Sequence, residues 1–98
     1  MNEKPIRIRS AAYLQYVREH ACLVCHSTPV QAHHLQRVPG QPRAMSLKTG
    51  DQWCVPLCWQ CHGRLHEDGD EKLWWALQGI DPLMWAEETF KRWKGEDR

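Results

Sequence analysis

The chain reads as one small α+β domain, and three observations carry that reading. Its 98 residues make a single core and leave no room for a second. Helical spacing of apolar residues at both ends brackets two short strand-like stretches in the middle. Two identical Cys-x-x-Cys pairs, Cys22/Cys25 and Cys58/Cys61, sit at the edges of that middle. A chain of this length buries only roughly 60–65% of its unfolded surface, so a cross-link between the pairs would compensate for a marginal core.

The elements follow in order. Residues 1–9 read as a flexible basic arm ahead of a single domain over 10–98, with its core at 20–68 and C-terminal helices at 70–94. Ser10 can cap a helix whose Tyr13, Leu14 and Val17 share one face. Cys22 to Cys25 forms a short knuckle, and Val30 to Leu35 alternates weakly as a strand. Residues 38–51 hold two Pro and two Gly without a period, which predicts a loop, and a loop this long in a small domain is usually functional or mobile. Trp53 to Leu57 is the second strand, and Cys58 to His66 starts a helix at the second knuckle. Asp70 to Leu77 is the next helical stretch, with Gly79 at its C-cap. Asp81 then caps a last helix, with Pro82 at its first position, running to Trp93.

Composition narrows the class. Mean hydropathy of −0.68 and 26% charged residues leave no apolar run of membrane-spanning length. Six Trp argue for a folded chain rather than a disordered one. Met1 to Arg9 lacks the apolar stretch of a signal peptide, so a cytoplasmic location is expected. The net charge of +1 is unevenly spread. Residues 1–48 carry seven Lys/Arg against two acidic residues, net +5, and residues 49–98 carry six against ten, net −4. The basic half can face a polyanion; an unstructured basic arm accounts for the same asymmetry.

Five Cys, an odd number, fit a disulfide framework poorly, and clustered Cys in a reducing compartment point to metal. A two-residue gap lets two thiolates reach one ion about 2.3 Å away. Cys22, Cys25, Cys58 and Cys61 together complete a closed tetrahedron, as a structural Zn²⁺ requires. A redox role would place a single such pair near a βαβ pattern, which is missing. Cys54, on the second strand, reads as a small buried hydrophobe rather than a ligand.

Four of the six His, at positions 33, 34, 62 and 66, lie between the two knuckles or directly after the second. His62 and His66, four apart on a helix, share a face and can share a cation. His33 and His34 are adjacent on a strand and point to opposite faces, so one can join that cation and the other is free to act as a base. This division suits metal-assisted hydrolysis, in which a cation stabilises phosphate oxygens while a neutral imidazole deprotonates water. His20 and His26 flank the first knuckle and fit no such geometry. Glu67, Asp68, Asp70 and Glu71 read as a solvated acidic junction from which one carboxylate can approach the metal.

Ala32-His33-His34-Leu35, followed by Val55-Pro56-Leu57-Cys58-x-x-Cys61-His62-x-x-x-His66, resembles the HNH nucleases. The wider pattern is similar to phage and prophage HNH proteins related to a RecA-dependent recombination-enhancing nuclease. Lys48-Thr49-Gly50-Asp51 and Gly79-Ile80-Asp81-Pro82-Leu83 add to the likeness, which covers about residues 20–93. The resemblance implies a zinc-stabilised, treble-clef-like ββα-metal fold with additional N- and C-terminal helices. It also implies a DNA endonuclease with little sequence specificity, acting in phage or prophage recombination or DNA processing.

By motif, His33, His62 and His66 would bind a catalytic Mg²⁺ or other divalent ion, and His34 would be the general base. The family's usual Asn falls at Trp53 here, and Asp51 is expected to replace it in orienting the base. Arg37, Arg43, Lys48 and Arg64 are the expected phosphate contacts. DNA is the expected partner, with a RecA-type filament or a phage recombination protein as a second and no membrane. The competing readings are a zinc-bound DNA-binding module with a degenerate site and an interaction module using the Trp-rich C-terminal helices. Those Trp (Trp74, Trp75, Trp85, Trp93) read first as core, with Leu73, Trp74 and Leu77 on one apolar face and Leu83, Ala86 and Phe90 on another.

Overall fold

A computed structural model of the chain describes residues 8–36, 38 and 49–95. Residues 1–7 of the expected arm and most of the expected loop, with Arg37, Arg43 and Lys48, lie outside the described residues. The elements run α1 (Ala11–Arg18), β1 (Val30–His34), β2 (Cys54–Cys58), α2 (Trp59–Asp68), α3 (Glu71–Gln78) and α4 (Pro82–Gly95). None of these helices is long and apolar enough to cross a membrane.

Each helix starts where a side chain can accept an otherwise orphaned backbone N–H. Ser10 Oγ accepts from Tyr13 N at 3.1 Å, Asp70 Oδ1 from Leu73 N at 3.1 Å, and Asp81 Oδ1 from Met84 N at 3.2 Å. Cys58 lies just outside α2 as its cap, its Sγ accepting from Cys61 N at 3.4 Å. Gly79 ends α3 in the left-handed region at φ 71°, which a residue without Cβ adopts without cost.

β1 and β2 pair antiparallel in the register Val30↔Cys58, His33↔Val55 and His34↔Cys54. The second strand begins one residue later than the sequence predicts. Trp53 instead closes a 3₁₀ turn over Asp51–Trp53, its N–H donating to Gly50 O at 3.0 Å. Every residue of β2 is buried, because α1 and α4 cover one side of the hairpin while α2 and α3 pack on the other. The first knuckle is tied to this strand by Leu23 N donating to Pro56 O at 3.1 Å.

One core cluster joins Val55, Leu57, Leu65, Trp74, Trp75 and Ala86 around the cysteines. A second joins Tyr13, Val17 and Cys54, with Phe90 and Trp93 against it. The ring of Phe90 meets Tyr13 edge-on at 5.0 Å, a favoured aromatic geometry. The face expected for α3 is corrected here. Leu73 and Leu77 are 51% and 72% exposed, and Glu71, Trp74 and Trp75 turn inward instead. Positions 71, 74 and 75 share a face at helical spacing, and three hydrogen bonds hold the Glu71 carboxylate inside, which fixes the rotation of the helix.

Candidate metal centres and their supporting residues

The two knuckles bring Cys22, Cys25, Cys58 and Cys61 together, with their four sulfurs all within 4.8 Å of one another. Cys25 Sγ lies 3.5 Å from Cys58 Sγ. A tetrahedral ion with bonds of about 2.3 Å would place its sulfurs about 3.8 Å apart, so the cluster has the dimensions of a zinc-type site. Its electrostatics point the same way. The backbone N–H of Cys61, with help from Ser27, pulls the Cys58 thiol down to about 6. Ser27 lowers Cys25 as well, its hydroxyl 2.9 Å from the sulfur. Burial pushes Cys61 up, with the neighbouring cysteines adding to the effect. Thiolates this close repel one another unless a cation sits among them. The four cysteines form a centre able to hold a metal such as zinc.

The second grouping is His33, His62 and His66. His33 Nδ1 lies 3.1 Å from His62 Nε2, and His66 Nε2 lies 3.1 Å from the same atom. Imidazole nitrogens bound at about 2.0–2.1 Å in a tetrahedron would stand about 3.3 Å apart. The neighbours set which nitrogen of each ring is free. Glu71 Oε2 lies 2.8 Å from His33 Nε2, so Nε2 carries the proton and Nδ1 keeps its lone pair. Gln31 Oε1 accepts from His62 Nδ1 at 2.6 Å, which leaves Nε2 free. Two lone pairs are thereby aimed at one point, with His66 completing a three-nitrogen set. Burial, reinforced by His33 and His66, lowers the pKa of His62 below 6.5, which keeps it neutral and ligand-competent near pH 7.

Glu71 comes from α3, and the sequence expectation placed it among solvated acids. It accepts from Trp75 Nε1 at 3.0 Å and from Gln36 N at 2.9 Å as well as from His33. Burial alone would raise its pKa, but the bonds from His33, Trp75 and Gln36 N prevail and hold it below the ordinary 4.5. The signal for it was its spacing of three and four from Trp74 and Trp75, which puts a carboxylate on an inward face.

His34 points to the opposite side of β1, as alternation requires. Its Nε2 lies 2.8 Å from Asp51 Oδ1, and Asp51 is only 4% exposed. Ser10 N donates to Asp51 Oδ2 at 2.7 Å, and Arg9 Nη1 stands 3.4 Å from Oδ1. Residues 8 and 9 of the expected arm are therefore fastened here, with Asp51 N donating to Ile8 O at 2.7 Å. Cys54 completes a grouping with His34 and Asp51 and is fully buried. Trp53 is half-buried against the core cluster, and its indole Nε1 has no hydrogen-bond partner among the described residues.

Of the expected phosphate contacts, Arg64 alone falls among the described residues, exposed on α2. His20 and His26 join none of these groupings. His20 Nδ1 is bonded to Tyr16 O at 2.9 Å at the end of α1, and His26 lies exposed in the first knuckle at φ 65°.

No curated protein and no solved structure matches the chain. A family model does match it over residues 1–92. With nearly its whole length covered, the chain belongs to the family described as protein of unknown function DUF968.

Proposed function

We propose that this chain is a metal-dependent DNA endonuclease of the HNH type, built as a zinc-stabilised ββα-metal module with added helices. One observation carries it: adjacent His33 and His34 serve two different assemblies, one a three-imidazole cluster and the other a histidine–carboxylate pair. In this reading β1, β2 and α2 are the ββα element, and Cys22, Cys25, Cys58 and Cys61 hold the structural zinc. His33, His62 and His66 would hold a divalent ion, which stabilises charge on the phosphate oxygens when bound.

The residues divide the remaining work. With Asp51 accepting from His34 Nε2, the lone pair of His34 stays on Nδ1, where it takes a proton from water. The water oxygen forms a bond to phosphorus, the bond from phosphorus to the leaving sugar oxygen breaks, and that oxygen takes its proton from solvent. Asp51 then steadies the imidazolium that His34 has become, and Arg9 and Ser10 N hold Asp51 in place. Glu71 and Gln31 hold the ligand histidines in the required tautomers. Three imidazoles are softer donors than Mg²⁺ prefers, so Mn²⁺, Co²⁺, Ni²⁺ or Zn²⁺ suits this set better. DNA processing or recombination in a phage or prophage setting, beside a RecA-type filament, is the role that the sequence resemblance implies.

The test is cleavage of supercoiled and single-stranded DNA with Mg²⁺, Mn²⁺, Ni²⁺ or EDTA. Wild type is compared with His34→Ala, and the zinc content of both is measured. Divalent-dependent cleavage lost in a zinc-replete His34→Ala protein supports the proposal. A zinc-replete wild type that binds DNA but cuts none of these substrates, with any ion or with RecA filaments added, overturns it in favour of a binding module.

A further inference from the structure

An open groove of about 580 Å³ runs along the outer face of α2, beside the histidine cluster. Gln31, Trp59, His62, Gly63, Arg64 and His66 line it. Trp59 is 77% exposed, although an indole is the side chain with most to gain from burial. Gly63 is the second anomaly. It lies inside a ten-residue helix, where Gly is the worst choice short of Pro, and a Cβ placed on it would meet nothing within 4 Å. No neighbour among the described residues asks for a glycine there. An external chain lying against the helix backbone does.

Resting on the nuclease reading above, we propose that this groove seats an unpaired DNA strand, with a base stacked on Trp59 and the strand backbone passing over Gly63. The eight residues from Trp59 to His66 span about 10 Å of helix, a path that a short stretch of an unpaired strand can follow. Arg64 supplies the cation for a phosphate at this face, and His62 and His66 stand at the end of the path. A duplex keeps its bases paired inward and has no free face to offer the indole. Stacking of an exposed aromatic is therefore a means of selecting single strands, and it is tolerant of sequence because every base has a π-face.

The test is binding of a fluorescent oligothymidine and of a duplex of equal length, by anisotropy, to the zinc-loaded full chain. Wild type, Trp59→Ala, Trp59→Phe and Gly63→Ala are compared. Zinc content is measured in each, since Trp59 lies between two cysteines of the zinc centre. Wild type is expected to prefer the single strand. Trp59→Ala should weaken single-strand binding about tenfold or more, and Trp59→Phe should recover most of it. Gly63→Ala should weaken it too while raising Tm by about 4–8 °C, the gain expected from helix propensity in a domain of this size. A more stable Gly63→Ala protein that binds the strand like wild type, together with an unaffected Trp59→Ala, overturns the groove assignment. If duplex cleavage persists in that case, the nuclease reading stands without it. Failure of wild type to bind either form of DNA overturns both.

Discussion

His33 Nε2 and Glu71 Oε2 are held 2.8 Å apart and both residues are buried, so α3 reaches across to a histidine of the first strand. This one bond explains two features at once. It sets the rotation of α3, which leaves Leu73 and Leu77 outside, and it fixes the tautomer that frees His33 Nδ1 to face His62 and His66. Helix α3 is thus part of the site rather than an appendage to the hairpin and helix.

Replacing Glu71 by Gln should therefore weaken divalent-ion binding at the histidine cluster by about 10–100-fold, as losses of outer partners of metal-bound histidines do. The zinc content should stay at its wild-type level, because the cysteine centre shares no residue with this bond. Calorimetric titration of the zinc-loaded protein with Ni²⁺ or Mn²⁺ measures the loss. Unchanged affinity would reduce Glu71 to a packing role.

The titration of His62 offers a pH test. Burial and its histidine neighbours lower its pKa from 6.5, and the Glu71 carboxylate opposes them. In NMR of zinc-loaded protein without other ions, the His62 midpoint should fall below 6.5, and lower still in Glu71→Gln. The sign for stability follows directly. The unfolded chain takes up this proton first, so acidification through and below 6.5 favours unfolding. The group contributes no such loss above that range.

Asp51 stitches the 3₁₀ turn to the start of α1 and to His34. Asp51→Ala would leave Ser10 N without its side-chain acceptor and His34 Nε2 without a carboxylate, at a cost of about 1–3 kcal/mol. Thermal unfolding should show Tm lower by several degrees or more. Asp51→Asn, which keeps one acceptor oxygen, should restore much of the stability. It should restore little of the DNA cleavage proposed here, because a neutral amide does not stabilise the charged imidazole. Equal recovery of both would sink the orienting role.

The cysteine pairs and the His33/His34 and His62/His66 pattern were legible because metal geometry dictates short, rigid spacings that survive in one dimension. The caps at Ser10, Asp81 and Gly79 were legible for the same local reason, whereas Asp70, read as the first residue of its helix, is the cap just outside it. What escaped lies in tertiary pairing. Gln31 and Glu71 are assigned by which histidine nitrogen they face, and no local pattern carries that. Residues 8 and 9 looked like free arm, yet they bond to Asp51 some forty positions away. The exposure of Trp59 was equally hidden, since which side of a knuckle helix faces outward is set by its tertiary packing.

Cys54 separates the two metal arguments most simply. It is fully buried among Tyr13 and Val17, at the opposite end of β2 from Cys58 and the four-sulfur centre, and its partner in register is His34. Cys54→Ala removes only a small buried sulfur, so it should cost about 1 kcal/mol and leave one zinc per chain. Cys25 is the one exposed member of the four. Cys25→Ser exchanges a soft thiolate for a weakly coordinating hydroxyl, and in a domain this small the expected zinc would couple directly to folding. It should therefore lose zinc on mild chelation and lose its cooperative unfolding transition with it. Elemental analysis and circular dichroism on the two variants read both effects. Zinc retained in Cys25→Ser but lost in Cys54→Ala would move the ion to the other end of β2, beside His34 and Asp51.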